Sequence, residues 1–172
     1  MTSLIRPETP ADEAAIRAVN VAAFGQPAEA DLVEAIRAAD AVTVSLVAVE
    51  DDQIVGHILF SPAWIEGIDW RMDAVGLGPM AVLPEWQRRG IGSRLVEAGL
   101  NACRALGHPV CGVLGHPAYY PRFGFRPASA IGVRCEFPAS EEAFMLLALR
   151  DRALAGAHGV FHYRPEFGEV SG

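Results

Sequence analysis

No lysine occurs anywhere in the 172-residue chain; all 14 of its Lys and Arg positions are arginine. That absence excludes a Schiff-base nucleophile, a pyridoxal-phosphate enzyme and a Walker A loop, each of which needs the lysine amine. Cysteine is scarce too. Cys103, Cys111 and Cys135 are odd in number and share no Cys-x-x-Cys spacing, so neither a disulfide framework nor a zinc site is indicated. They read as buried, unreactive thiols. The five histidines have no metal-ligand spacing and the carboxylates form no metal-binding cluster, so no metal is expected. Positive charge is in deficit: the formal net charge is −7, which argues against general nucleic-acid binding. No apolar run approaches the roughly 18 residues of a membrane span. The start of the chain lacks the basic-then-apolar pattern of a signal peptide. The expected location is the cytoplasm, with neither nucleic acid nor membrane as partner.

What is present is enough apolar sequence for one well-filled domain, with 51% of residues hydrophobic. "SLIRPETP" opens with a short strand. Asp12 and Glu13 then begin a helix carrying Ile16, Val19, Ala23 and Phe24 at helical spacing. A second helix is predicted from Glu29 to Ala39, with Leu32, Ile36 and Ala39 on one face. "AVTVSLVAVEDDQIVGHILF" reads as a hairpin turning at Asp51-Asp52-Gln53. Trp64 to Arg71 reads as a second turn region and Met72 to Val82 as a strand. Gly90 to Leu106 is the strongest helix, with Ile91, Leu95, Ala98, Ala102 and Ala105 on one stripe. "HPVCGVLGH" is a buried strand and "PAYYPRFGF" a short helix or turn. "AFMLLAL" and "GVFHY" are late strands, with a frayed tail after Pro165. Without repeat or linker, residues 1–172 form one mixed α/β domain.

Glycine patterns locate the chemistry. Gly76-Leu77-Gly78-Pro79-Met80-Ala81 matches the dinucleotide fingerprint in letters only, because Pro79 interrupts it and strand-like sequence follows where a helix is required. Gly90 and Gly92 instead stand at the start of a helix, after a strand. Glycine there lets backbone N–H groups approach a ligand closely, and a helix start supports a pyrophosphate. Arg88, Arg89 and Arg94 can neutralise the same anion and Ser93 can donate a hydroxyl. The alternative is a solvated basic turn whose arginines pair with Glu85 and Glu97. Three arginines and two glycines together favour the anion site.

Gln87-Arg88-Arg89-Gly90-Ile91-Gly92 resembles the Q/R-x-x-G-x-G/A signature of the GNAT superfamily, the acyl-CoA-dependent N-acyltransferases. "LGPMAVLPEWQRRGIGSRLV" is similar to that family's strand, pyrophosphate loop and helix. Tyr120-Pro121-Arg122-Phe123-Gly124-Phe125 resembles its second motif, and "GVFHYRPEF" resembles the late segment of a bacterial acetyltransferase subfamily. The resemblance runs over nearly the whole chain. It implies a GNAT fold: a central, mostly antiparallel twisted sheet that splays between strands four and five, flanked by helices. It implies acetyl-CoA as co-substrate, held by Gln87, Arg88, Arg89, Gly90, Ile91, Gly92, Ser93 and Arg94. Along the fourth strand, the Met80 N–H would polarise the thioester carbonyl and Val82 would bind the pantetheine amide, with Ala81 between them. Many relatives carry a cofactor-contacting asparagine where this chain has Val113. A small-molecule amine or peptide N-terminus is the implied acceptor, and a homodimer the implied assembly.

The implied reaction is direct attack of an amine on the thioester, which needs a base, oxyanion donors and an acid for the departing thiolate. A phenol of pKa about 10 and a thiolate of pKa about 8.5 are nearly matched. Tyr120 fits that role, and Tyr119 is one residue off the spacing. Glu66, Asp73, Glu85 and His116 read as solvated groups, and His57 as a hydrogen-bonded core histidine. The rival reading is a catalytically silent acyl-CoA-binding or scaffold domain.

Overall fold

A computed structural model describes the backbone of residues 3–170. The chain divides into two compact units, residues 3–60 with 78–102 and residues 61–77 with 103–170. Among the described residues nine strands form a mixed sheet, flanked by helices. This bears out the mixed α/β expectation.

In the first unit, β1 (Leu4–Pro7) pairs antiparallel with β2 (Val44–Glu50), and β2 with the first half of β3 (Gln53–Gly67). The β2–β3 turn is made by Asp51 and Asp52, both left-handed at φ 48 and 62. Two consecutive residues of positive φ are the geometry a tight hairpin needs. Helix α1 (Glu13–Phe24) follows a 3-10 turn at Pro10–Asp12. The Asp12 carboxylate accepts the Thr9 N–H at 2.7 Å and a two-pronged contact from Arg6 at 2.7 and 3.1 Å. The Arg6 hydrogen bond, above all, holds that carboxyl below the usual range. Helix α2 (Ala28–Ala38) buries Leu32, Val33 and Ile36. Phe24, placed on the apolar face of α1 by spacing, is exposed instead.

Helix α3 (Ile91–Ala105) begins one residue later than its pattern suggests. In this unit it buries Ile91, Leu95, Val96 and Leu100. The buried stripe is rotated away from Ala98, because Gly99 rather than an alanine meets the sheet: a Cβ there would collide with the Phe60 ring. Beneath α1, His57 is fully buried in a polar row. The Asn20 side-chain amide donates to Nδ1 at 3.4 Å, leaving Nε2–H to donate to the Ser45 hydroxyl at 2.9 Å.

In the second unit, β4 (Trp70–Val82) enters from a turn confined to Ile68 and Asp69, so the long turn region expected over Trp64 to Arg71 is mostly strand. Strand β5 (Val110–Leu114) runs parallel to β4 over Val75–Leu77 alone. β6 (Arg126–Pro127) and β7 (Val133–Cys135) are short strands absent from the sequence reading. β8 (Phe144–Ala148) pairs antiparallel with all of β5. β9 (Gly159–His162) pairs parallel with β7 and antiparallel with Trp64–Glu66 of β3. Past Pro165 the chain forms α4 (Glu166–Val170), not the expected frayed tail; residues 171 and 172 lie outside the described residues. Ile65, Val110, Leu146, Phe161 and Tyr163 centre the apolar core of this unit.

Candidate active site

The residues to which the sequence assigns the chemistry fall into two groups, one in each unit. The first lies at the C-terminal end of β4. After Gly78, at φ 142, the strand runs on through Pro79, Met80 and Ala81 to Val82, past the end of its pairing with β5 at Leu77. A strand that outlives its partner leaves backbone donors and acceptors on that edge for another occupant. Met80 is partly exposed, whereas Ala81 and Val82 are buried. Ala81 and Val82 therefore offer backbone rather than side chains.

A 3-10 turn at Pro84–Trp86 leads from β4 into the glycine loop. The Gln87 side chain turns back and donates to the Val82 carbonyl at 3.0 Å, so its amide ties the loop to the strand. Arg88 and Gly90 are both left-handed, at φ 65 and 81. A switch of handedness within consecutive residues is how a loop builds an anion-binding concavity from its N–H groups. A Cβ on Gly90 would meet nothing within 4 Å, so the space over the loop is open. Gly92 lies inside α3, as does Ser93; of the two loop glycines, Gly90 is the left-handed one.

The arginines do not act alike. Arg88 and Arg89 are exposed, and the Arg89 guanidinium lies 4.7 Å from the centre of the Trp86 ring. Arg94 reaches instead to the Ser3 carbonyl and helps close a cavity of about 310 Å³, also lined by Arg89, Ile91, Glu50 and Asp51. Among the described residues no carboxylate forms an ion pair with Arg88, Arg89 or Arg94. Glu85 and Glu97 therefore do not answer the loop's positive charge.

The second group surrounds Tyr120, in a 3-10 turn (Tyr120–Phe123) closed by left-handed Gly124. The Tyr120 ring is buried and edge-on to Tyr119 and Phe125, at 5.0 and 5.7 Å between centres. Gly115 permits this: a Cβ there would collide with the ring. Burial, above all, raises the Tyr120 phenol well above its ordinary value, with Tyr119 and Cys111 adding to the effect. Tyr119 is partly exposed and carries the Arg122 guanidinium over its ring at 4.4 Å.

The base candidates separate cleanly. Asp73, Glu85 and His116 are exposed, and Glu66 accepts the Trp64 indole N–H at 3.4 Å. Burial pushes the His57 pKa down to about 3, fitting a neutral core residue. Burial likewise raises the Cys103 thiol to about 12 and holds the Cys111 thiol well above its ordinary value, so both are inert.

An acetyltransferase (GNAT) domain model matches residues 42–127, which include the glycine loop and Tyr120. YhbS of Escherichia coli K12, named an uncharacterized N-acetyltransferase, is 38% identical over 95% of this chain and 98% of its own length. The chain belongs to the GNAT acetyltransferase family. Among solved GNAT structures, E. coli YhbS in complex with CoA is 36% identical, with a TM-score of 0.92 over 98% of this chain and 93% of that one. A GNAT acetyltransferase from Brucella melitensis in complex with acetyl-CoA is 39% identical, with a TM-score of 0.80 over 96% and 97% of the two chains.

Proposed function

We propose that the protein transfers the acetyl group of acetyl-CoA to a primary amine by direct attack in a ternary complex. The observation that carries this is the loop: Arg88 and Arg89, exposed and without carboxylate partners, immediately precede a left-handed glycine at the start of α3. Such a loop accommodates a pyrophosphate by charge and by backbone N–H donors together. Gln87 fixes the loop on β4, Ile91 anchors α3 behind it, and Gly92 and Ser93 supply the first helical turn. Met80 and Val82 offer backbone groups for the acyl-pantetheine arm, consistent with the stretch of β4 beyond its pairing with β5. Arg94, engaged with Ser3, steadies one wall.

In the reaction the amine nitrogen forms a bond to the acetyl carbon and the carbon–sulfur bond breaks. The amine gives its proton to solvent, Tyr120 gives its phenolic proton to the departing sulfur, and solvent returns a proton to the Tyr120 phenolate before the next turnover. Burial keeps the phenol protonated. A thiolate formed out of water is made more basic by the same desolvation, which narrows the gap that the raised phenol opens. No described helix is long and apolar enough to cross a membrane.

Release of CoA from acetyl-CoA over a panel of amines tests the proposal. The chain has no side-chain amine of its own to consume acetyl groups, so the background is low. Amine-dependent CoA release is the expected result. Tight binding of acetyl-CoA with no release for any amine would instead establish a silent binding domain.

A further inference from the structure

The second unit contains a cavity of about 450 Å³, bounded by β7, β9 and the segment that enters β8. Val133, Phe137, Phe144 and Val160 give it apolar walls; Arg134 and Glu141 are its charged residues. Neither takes part in an ion pair among the described residues. Their neighbour Glu136 is different: its oxygens already accept the Tyr163 N–H at 2.9 Å and meet His162 Nδ1 at 2.8 Å. Two unanswered charges of opposite sign on apolar walls are a recognition pattern, since ligand cavities of this size combine apolar lining with a few polar groups that fix orientation.

One wall of the cavity is hydrogen-bonded to the backbone that seats Tyr120. The Gly115 N–H donates to the Ala143 carbonyl at 2.9 Å, and the next residue, Phe144, pairs with Leu114. Gly115 is also the residue on which the Tyr120 ring packs. One short stretch of backbone thus supports both the cavity wall and the phenol.

We infer that this cavity is the acceptor site and that its ligand is a free α-amino acid with a large apolar side chain. Its carboxylate is met by Arg134, its amino group by Glu141, and its side chain by Phe137 and Phe144. The inference rests on the acetyl transfer proposed above. Only a ligand with both charges close to an apolar body uses all of these groups at once. An unsubstituted amine leaves Arg134 unused, and a polyamine is repelled by it.

Titration calorimetry of the whole chain, with CoA present, tests this with L-phenylalanine, phenethylamine and 3-phenylpropionate. L-Phenylalanine should bind at least about tenfold more tightly than either truncated analogue, as expected for a lost charged hydrogen bond. Arg134→Gln should reduce L-phenylalanine to the level of phenethylamine and leave phenethylamine unchanged. Glu141→Gln should weaken the two amines and spare 3-phenylpropionate. Both side chains are exposed, and CoA affinity verifies that each variant is folded. Equal affinity for the three probes, absence of L-phenylalanine binding, or unaltered binding in both variants overturns the inference. Failure of L-phenylalanine alongside CoA release with other amines removes the amino acid and leaves acetyl transfer standing. L-Phenylalanine binding as described, without CoA release for any amine, keeps the site and removes the transfer.

Discussion

Gly115 and Tyr120 are complementary in shape: the ring occupies the space a Cβ on Gly115 would take. The phenol is placed by this contact and by Phe125, and it can be displaced by a single methyl group. Gly115→Ala should therefore lower turnover while leaving acetyl-CoA affinity intact. Tyr120→Phe, which keeps the ring, should reduce turnover by about 10² with little change in the dissociation constant. Tyr119→Phe should cost much less. Single-turnover kinetics with a verified amine measure all three, and parental rates in Tyr120→Phe would show that another group supplies the proton.

Removing Arg88 and Arg89 together by alanine should weaken acetyl-CoA by roughly 1–3 kcal/mol per lost charged contact, before solvent screening. Acetyl-pantetheine, which lacks the phosphates, should be unaffected. Calorimetry at low and high salt reads the difference. Unchanged acetyl-CoA affinity in the double variant would move the pyrophosphate elsewhere.

Gly90 and Gly92 make distinguishable predictions. Alanine at Gly90 must adopt φ near 81, which should destabilise the loop by about 1–2 kcal/mol with no collision. Valine at Gly92 is helical and pays no such strain. The Gly92→Val chain should keep its melting temperature and lose acetyl-CoA binding, because the side chain fills the phosphate space. Retained binding would show that the helix start is not the cradle.

Buried His57 makes stability pH-dependent. Its folded pKa of about 3 lies below the ordinary 6.5, so the unfolded chain binds the proton more readily. Stability is complete above 6.5 and falls with pH through that window toward 3. By linkage, two pH units of descent cost roughly 2–3 kcal/mol. Asp12 contributes only below its ordinary 3.8, leaving pH 6.5 to 4.5 to His57. Denaturant unfolding of His57→Gln across that range should lack the slope; an equal slope in both proteins would place the proton elsewhere.

The sequence reveals local and strongly patterned features. The β2–β3 hairpin, α3 and the 3-10 turn at Tyr120 are legible because alternation, helical spacing and motif spacing act within a few residues. β6 and β7, of two and three residues, are too short for any period to emerge. Long-range partners are also invisible. Nothing near Arg94 shows that it is taken by the carbonyl of Ser3, and nothing near Gln87 shows that its amide closes on Val82. Arg134 and Glu141 are not legible because "GVRCEFPASEEAF" has neither period nor motif; only folding brings them to one cavity.

The chain passes between its two units three times, between Phe60 and Ser61, Leu77 and Gly78, and Ala102 and Cys103. Each crossing falls inside a regular element, β3, β4 or α3, rather than in a loop. A protease seeking a flexible link meets strand or helix backbone at every boundary. Recombination at those boundaries would likewise cut through a strand or a helix. The loop with its arginines and the turn with Tyr120 thus belong to units whose boundaries no loop marks.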